Sequence, residues 1–176
     1  AIENNNLFPI YNQQKIYLDS YEQISTPGGE RYPEANKAIT DEIFRGAFVA
    51  TYLGHGGPTG LAQERVLQEN DIRAWDNEFK PPLLITATCS FTPYDDPKVF
   101  SAGAQTQVQK NGTVALFSTV RAVYANENAT LTRNTLIEAF RKTNNKYPTL
   151  GDMLKVAKNA GGGRSDNNRK YSLFGD

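Results

Sequence analysis

The sequence predicts an α/β fold, a three-layer sandwich in which helices cover both faces of a mostly parallel sheet. Four apolar, β-rich runs alternate with helical patterns along the chain. Their continuous hydrophobicity is typical of strands that are covered on both faces. The connections between strands and helices are short, which indicates βαβ units with right-handed crossovers.

The four runs that predict strands are rich in apolar and β-branched residues and are bounded by polar or turn residues. They cover Lys15–Leu18, Ala47–Leu53, Leu83–Cys89 and Thr113–Ser118. The string YSLFGD at Tyr171–Asp176 resembles a further strand that is cut short. Between the elements, glycine-rich or polar strings predict loops at Ser25–Arg31, Gly54–Gly60 and Asn159–Asn168.

Helices are predicted where apolar residues recur at helical spacing and a start or stop signal flanks them. Pro33 opens the first helix, which Gly46 closes. Asp96, followed by proline, predicts the start of a second helix that runs to about Lys110. Further helices are predicted over Asn128–Lys142 and Asp152–Asn159.

The charge balance excludes several classes of partner. Lysine and arginine number 19, and aspartate and glutamate also number 19, so the chain has no basic field that would attract nucleic acid or an anionic membrane. The longest apolar runs are too short to span a bilayer, and Ala1–Gln14 lacks the apolar segment of a cleavable signal peptide. With 176 residues, the chain has the length of one domain.

Cys89 and His55 are each the only residue of their type in the chain. A single cysteine cannot form an internal disulfide or a thiolate metal site, and one histidine with one cysteine is a poor basis for a structural zinc site. A lone thiol is either a small core residue or a reactive centre. The function of the chain depends on which of the two Cys89 is.

His55 directly follows the second predicted strand, in YLGHGG, and Cys89 ends the third, in ITATCS. The carboxyl ends of parallel strands share one edge of the sheet, where ligands bind. If these two strands are neighbours, a thiol and an imidazole emerge side by side, as nucleophilic catalysis requires. The flanking glycines let the backbone approach a substrate carbonyl, so the N–H groups of Gly56 and Cys89 are the natural oxyanion-hole pair.

Other interpretations of these residues stay open at this point. Cys89 could be a buried core residue, and His55 could be an ordinary loop residue. Arg121 lies just past the fourth predicted strand, on the same edge as the pair, and is either functional or a solvated loop arginine. Asp95 could bind a cation or a basic substrate group, although helix capping explains its neighbour Asp96.

Five strings carry a resemblance to a known family. YLGHGGPTG, LLITATCSFTPYDDP and ALFSTVRAVYA, in that order, closely resemble the gingipain-like peptidases of family C25. Two further strings narrow the resemblance to the sortases of the bacterial type IX secretion system, namely IYLDSYEQISTPGGERYPEAN and ENATLTRN. Nearly the whole chain from Lys15 to Asp176 takes part, and the ordered set of strings is much more specific than a lone Gly-His-Gly.

The resemblance implies a caspase-like version of the predicted sandwich with a dyad of His55 and Cys89. It places the amides of Gly56 and Cys89 on the family's oxyanion donors. Gly57, Arg121 and Asp95 are candidates for substrate contact. Neither a cofactor nor a metal ion is implied.

Sortases of this kind remove the C-terminal sorting domain from secreted cargo and join the new carboxyl end to a lipopolysaccharide at the cell surface. The resemblance therefore implies a transpeptidase of the bacterial outer membrane. Its partners would be cargo sorting domains, a lipopolysaccharide acceptor and other type IX secretion components. Two alternatives stay open, namely a gingipain-like endopeptidase that only hydrolyses and a non-catalytic scaffold that binds cargo tails.

The sequence departs from the family pattern at both ends. Gingipain-like domains carry at least one further strand and helix upstream, with an acidic residue that can support the histidine, and they usually continue through a final strand. Residues 1–176 are therefore expected to form a single, incomplete catalytic domain, whose activity on its own stays an open question. A sheet edge left unpaired would favour self-association.

Overall fold

The computed structural model describes residues 11–160 and 165–175. The strands are β1 (Ile24–Thr26), β2 (Gly29–Arg31), β3 (Val49–Leu53), β4 (Gly56–Gly57), β5 (Gly60–Leu61), β6 (Leu67–Gln68), β7 (Leu83–Ala87), β8 (Ala115–Thr119) and β9 (Tyr171–Gly175). The α-helices are α1 (Pro33–Arg45), α2 (Glu69–Arg73), α3 (Ala102–Val108), α4 (Ala125–Ala139), α5 (Leu150–Ala160) and α6 (Asp166–Lys170). A short 3-10 helix covers Leu18–Ser20.

A four-stranded sheet, in the order β3, β7, β8 and β9, forms the centre of the fold. β3 pairs with β7 and β7 pairs with β8 in parallel, whereas β9 runs antiparallel to β8. The crossovers between the parallel strands contain α2 and α3, because parallel neighbours need a connection that returns along the sheet. The predicted α/β fold with a mostly parallel sheet is confirmed, and the last β-rich string forms a strand over Tyr171–Gly175.

Apolar side chains alternate between the two faces of this sheet, as the period of a strand requires. One face packs on α1, α2 and α3 through a cluster that includes Ile43, Ile72, Leu84, Ala102 and Leu116. The opposite face packs on α4 and α5 through a cluster that includes Ile85, Phe117, Leu131 and Met153. All of these side chains are at most 4% exposed, and burial of a large one contributes roughly 1.5–3 kcal/mol. The three predicted layers are present.

Helix α1 forms as predicted. Pro33 is its first residue, where the missing N–H costs no hydrogen bond. Gly46 ends the helix with a left-handed φ of 105°, and its N–H donates to the carbonyl oxygens of Glu42 and Ile43. A residue with a Cβ would be strained in that conformation, which is why glycine marks the end of the helix in the sequence.

The last two long helices also lie close to their predictions. α4 begins and ends three residues earlier than predicted, at Ala125 and Ala139, and α5 extends one or two residues beyond each predicted end. Within the described residues, no helix is both long enough and apolar enough to cross a bilayer.

The strand predicted at Lys15–Leu18 is wrong. Residues 12–17 have no regular structure, and Leu18 begins the 3-10 helix. Within the part of the chain that the structure describes, no strand of the three sheets pairs with this run. Leu18 still packs against the core cluster of α1, while Tyr17 is 59% exposed.

Two strings predicted as loops contain short strands. Ser25–Arg31 lies in the β1–β2 hairpin, where a proline-glycine turn joins the two strands. Gly54–Gly60 contributes β4 and the first residue of β5. In the third string, residues 161–164 lie outside the described part of the chain, and its flanks belong to α5 and α6.

The helix predicted from Asp96 begins later, at Ala102. Ser101 is its N-cap, and Ser101 Oγ accepts a hydrogen bond from the Ala104 N–H at 3.1 Å. Asp96 instead stabilises an exposed turn, where its carboxylate accepts from the Lys98 N–H at 3.0 Å. Helix capping was therefore the wrong interpretation of Asp96, because an aspartate before proline satisfies a turn by the same side-chain hydrogen bond.

Candidate active site

His55 and Cys89 lie at matching positions beyond neighbouring parallel strands. The last pair in the register of β3 and β7 joins Leu53 to Ala87. His55 and Cys89 each follow their own member of that pair by two residues. Adjacent strands are about 4.8 Å apart, so the two loops leave the same edge of the sheet side by side. The predicted condition that these strands are neighbours is confirmed.

The backbone of the His55 loop is fixed by three hydrogen bonds. The Gly54 N–H donates to the Ala87 carbonyl at 3.2 Å, which ties the loop to the end of β7. The His55 carbonyl accepts from the Ala62 N–H at 2.8 Å and from the Tyr52 hydroxyl at 2.7 Å. The Tyr52 hydroxyl donates as a neutral group, and burial raises the pKa of Tyr52 further, to about 12. The loop therefore presents an exposed histidine on a fixed backbone.

Gly56 lies directly against the residue that precedes the cysteine. A Cβ placed on Gly56 would be 2.6 Å from Thr88 Oγ1 and 3.2 Å from the Gly60 carbonyl oxygen. Only glycine allows main chain to come this close. Gly56 therefore lets the His55 loop contact the Cys89 loop. The roles of the Gly56 and Cys89 amides as oxyanion donors stay a prediction.

Cys89 is half-buried at the bend that follows β7 and belongs to neither core cluster. Ser90 has a left-handed φ of 46°, which is uncommon for a residue with a side chain and turns the chain sharply. The Ser90 N–H donates to the Arg121 carbonyl at 3.2 Å, and Cys89 Sγ lies 3.9 Å from the Val123 carbonyl oxygen. The loop after β8 is therefore one wall of the cysteine site, and the partly exposed thiol is not packed as a core residue.

Buried hydroxyl groups form the floor beneath the cysteine. Thr119 Oγ1 donates to the Thr88 carbonyl at 2.6 Å. Ser118 Oγ accepts from the hydroxyls of Thr86 and Thr92 at 2.7 and 3.0 Å. Thr88 Oγ1, next to Gly56, has no hydrogen-bond partner among the described residues. The satisfied hydroxyls fix the ends of β7 and β8 relative to each other.

Arg121 and Asp95 pair with each other at the same edge of the sheet. Two parallel hydrogen bonds join them, from Nη1 to Oδ1 at 2.9 Å and from Nη2 to Oδ2 at 2.5 Å. The bonds from the Arg121 guanidinium hold the pKa of the Asp95 carboxyl below its usual range. The two side chains are 54% and 45% exposed, so the pair stays open to a ligand. Contact of either residue with a substrate stays a prediction.

Gly57 belongs to β4, and a Cβ placed on it would have nothing within 4 Å. Its predicted contact with a substrate stays a prediction. The His55 imidazole forms no hydrogen bond or ion pair within residues 11–160 and 165–175. Over the same ranges, no group of three His, Cys, Asp or Glu side chains could hold a metal ion.

The sequence prediction missed two residues whose side chains bond the backbone of the loops around the site. Tyr52 is one, and its ring packs against the core cluster. Side chains alternate between the two faces of a strand, and this pattern in β3 could have indicated that Tyr52 faces the core. Asn167 is the other, because its side chain bonds the Tyr124 backbone at the end of the loop after β8. That contact spans 43 residues, and no local sequence signal connects its two partners.

The geometry agrees with a comparison of the whole chain with known protein families. The model of peptidase family C25 matches residues 1–176. The chain belongs to peptidase family C25. The resemblance in the strings around His55 and Cys89 is thereby confirmed at the level of the family. No curated protein matches this C25 chain significantly.

Solved structures of gingipains share the fold of this C25 chain. The complex of Porphyromonas gingivalis RgpB pro- and mature domains matches with a TM-score of 0.66 and 18% identity, over 80% of this chain and 36% of that chain. The Arg-specific cysteine proteinase gingipain R (RgpB) matches with a TM-score of 0.59 and 17% identity, over 80% of this chain and 35% of that chain. The C25 chain therefore spans about a third of these relatives, and its expected caspase-like fold is confirmed.

Proposed function

We propose that this C25 chain carries the catalytic pair of a cysteine-dependent sortase, with Cys89 as nucleophile and His55 as its proton-transfer partner. The register of β3 and β7 supports the pair most strongly, because it sets both residues two positions past the register partners Leu53 and Ala87. The thiol is half-buried and the histidine is exposed, so both can meet a peptide. A thiol next to a base is the arrangement of an activated nucleophile.

In the first half-reaction, His55 takes the proton of the Cys89 thiol, and the sulfur attacks the scissile carbonyl carbon. The C–S bond forms as the carbonyl π electrons move to oxygen, and the N–H groups of Gly56 and Cys89 stabilise that oxyanion. The carbonyl re-forms as the C–N bond breaks, and protonated His55 gives its proton to the leaving amine. The products are a thioester on Cys89 and a released C-terminal segment.

In the second half-reaction, an amine acceptor attacks the thioester while His55 removes a proton from the amine. The new C–N bond forms, the C–S bond breaks, and Cys89 recovers its proton from His55. Water in place of the amine gives hydrolysis. A sortase and an endopeptidase therefore differ only in the acceptor that reaches the thioester.

The narrower proposal of a sortase is supported by the strings IYLDSYEQISTPGGERYPEAN and ENATLTRN, which resemble type IX secretion sortases of the PorU type. Under this proposal the substrates are C-terminal sorting domains of secreted proteins, and the acceptor is a lipopolysaccharide. Other type IX secretion components are partners, and the protein works at the bacterial cell surface. The fold shared with gingipain R favours a second candidate, a cysteine endopeptidase that hydrolyses the thioester.

Incubation of the full-length protein with a cargo peptide and a small primary amine separates these candidates. A sortase gives a peptide–amine adduct that mass spectrometry detects, and Cys89→Ala abolishes the adduct. Hydrolysed peptide alone, in an excess of the amine, contradicts the transpeptidase. Intact peptide with both proteins supports a non-catalytic scaffold that binds cargo tails.

A further inference from the structure

The segment 120–124, which connects β8 to α4, forms the wall of the cysteine site. Its Val123 carbonyl oxygen lies 3.9 Å from Cys89 Sγ, at the long end of the range for a thiol hydrogen bond. The start of the segment is held to the last residue of α6, because the Val120 N–H donates to the Lys170 carbonyl at 2.8 Å. The position of the Val123 carbonyl therefore depends on what holds the other end of the segment.

A buried side-chain amide, that of Asn167 in α6, holds the other end. Asn167 is 0% exposed. Its Oδ1 accepts from the Tyr124 N–H at 3.0 Å, and its Nδ2 donates to the Tyr124 carbonyl at 2.8 Å. These two bonds copy the pair that residues of neighbouring strands exchange. The amide therefore clamps the residue that follows Val123 on both sides of its backbone.

A second layer of buried polar groups fixes the orientation of this amide. Asn167 Nδ2 also donates to Asn128 Oδ1 at 3.1 Å, and the same oxygen accepts from the Tyr171 hydroxyl at 2.9 Å. The Tyr171 hydroxyl is a neutral donor in this bond, and burial raises the pKa of Tyr171 further above its ordinary value. Because the Asn128 oxygen can only accept hydrogen bonds, the NH2 group of Asn167, and not its oxygen, must face it.

We infer that Asn167 is a positioning residue for Cys89, acting through the backbone of Tyr124 and the carbonyl of Val123. The inference rests on the proposed function, since it requires that Cys89 is the nucleophile. With the clamp in place, the carbonyl holds the thiol in one position relative to the His55 loop. Without the clamp, the Tyr124 N–H loses its acceptor, and the Tyr124 carbonyl keeps only the bond from the Asn128 N–H at 3.0 Å. The Val123 carbonyl can then shift, and the sulfur loses that position.

Asn77 provides a matched control for the loss of a buried amide. It is 2% exposed, and its Nδ2 donates to the Gly112 carbonyl at 2.9 Å. This bond lies at the amino ends of β7 and β8, on the opposite edge of the sheet from Cys89. Asn77→Ala and Asn167→Ala therefore both leave buried main-chain groups unpaired, and only the second variant removes the clamp.

The test measures the rate of Cys89 alkylation by iodoacetamide at pH 7 in the full-length protein, with the modified peptide identified by mass spectrometry. We expect Asn167→Ala to slow the His55-dependent part of this rate about tenfold, because a misplacement of about 1 Å costs up to ~100-fold where alignment matters. Asn77→Ala should leave the rate unchanged. Destabilisation alone would speed alkylation by opening the fold, so a purely structural role predicts the opposite sign.

Two further variants separate the possible failures. The first outcome is that the Asn167 and Asn77 variants are alkylated at equal rates and wild-type protein is still alkylated faster than His55→Ala. This outcome overturns the inference and leaves the proposed function standing. If wild-type protein reacts no faster than His55→Ala, the proposed function is overturned, and the inference with it. Should Asn167→Ala fail to fold, Asn128→Ala carries the test, because it removes the oxygen that orients the Asn167 amide and keeps the backbone of α4. An Asn128→Ala rate equal to that of wild type then overturns the inference.

Discussion

Gly56 brings the main chain of the His55 loop into contact with Thr88, the residue before Cys89. The distance from an added Cβ to Thr88 Oγ1 would be 2.6 Å, and Thr88 is only 1% exposed, so its side chain has no free space to enter. The two predicted oxyanion donors, the N–H groups of Gly56 and Cys89, thus depend on a contact that only glycine permits. One methyl group at this position should separate the two loops.

The variant Gly56→Ala should lower the free energy of unfolding by about 1–3 kcal/mol, because an overpacked contact forces the main chain or Thr88 to shift. Gly57→Ala is the matched control, since a Cβ there would have nothing within 4 Å. Urea denaturation followed by circular dichroism measures both variants. The same unfolding free energy in both would contradict the close contact between the two loops.

The placement of His55 and Cys89 at one edge of the sheet could be predicted because both residues follow the ends of strands. His55 and Cys89 each follow an apolar run, and parallel strands bring such positions to one edge of the sheet. The clamp of Asn167 on Tyr124 could not be predicted in this way. Nothing in the polar string DNNRK of α6 marks Asn167 as buried, since its burial is set by how α6 packs on α4.

At the scale of elements, strand centres could be predicted and element ends could not. The apolar runs at Ala47–Leu53 and Leu83–Cys89 contain β3 and β7, and the run at Thr113–Ser118 covers β8 except for its last residue, Thr119. β7 and β8 are buried along their whole length, and a run that is buried on both faces has few alternatives to a central strand. The run at Lys15–Leu18 is as apolar over a shorter length, yet within the described residues it has no strand to pair with. Pairing is a tertiary property that a single run does not reveal.

The first residue of α3 also differs from the one that the sequence predicts, and this difference can be tested. Ser101→Ala should lower the free energy of unfolding by about 1 kcal/mol, because it removes the acceptor that caps the Ala104 N–H. Asp96→Ala should change it by less than about 0.5 kcal/mol, since Asp96 bonds an exposed turn. Thermal and urea unfolding of the two variants measure the difference. A larger loss in Asp96→Ala would mean that the helix begins at the position predicted from sequence.

At the scale of the whole molecule, the edges of the central sheet stand out. Within the described residues, β3 and β9 are its outer strands. Leu53, at the end of β3, is 57% exposed, although it lies in an apolar run. An outer strand presents unpaired N–H and carbonyl groups that can pair with another chain. We therefore expect the 176-residue chain to self-associate through a sheet edge.

Light scattering of the 176-residue chain over a range of concentrations measures this association. The mean mass should rise with concentration, and Thr51→Lys in the middle of β3 should suppress the rise, because a charge on an outer strand opposes edge pairing. Thr130→Lys, on the exposed side of α4, is the control and should leave the rise unchanged. A monomeric mass at the highest concentration would contradict the prediction.

The proposed pairing of Cys89 with His55 draws on all three scales. It rests on the two residues themselves, on the register of β3 with β7 and on the membership of the chain in peptidase family C25. Its most direct test is the rate at which iodoacetamide alkylates Cys89 near neutral pH in wild-type protein and in His55→Ala. A thiol paired with a base reacts faster than a free thiol at this pH, and loss of the base slows it. Faster alkylation in wild-type protein than in His55→Ala and in a free thiol is the predicted result. A Cys89 that stays inert until the protein unfolds, or that reacts equally in both proteins, would contradict it.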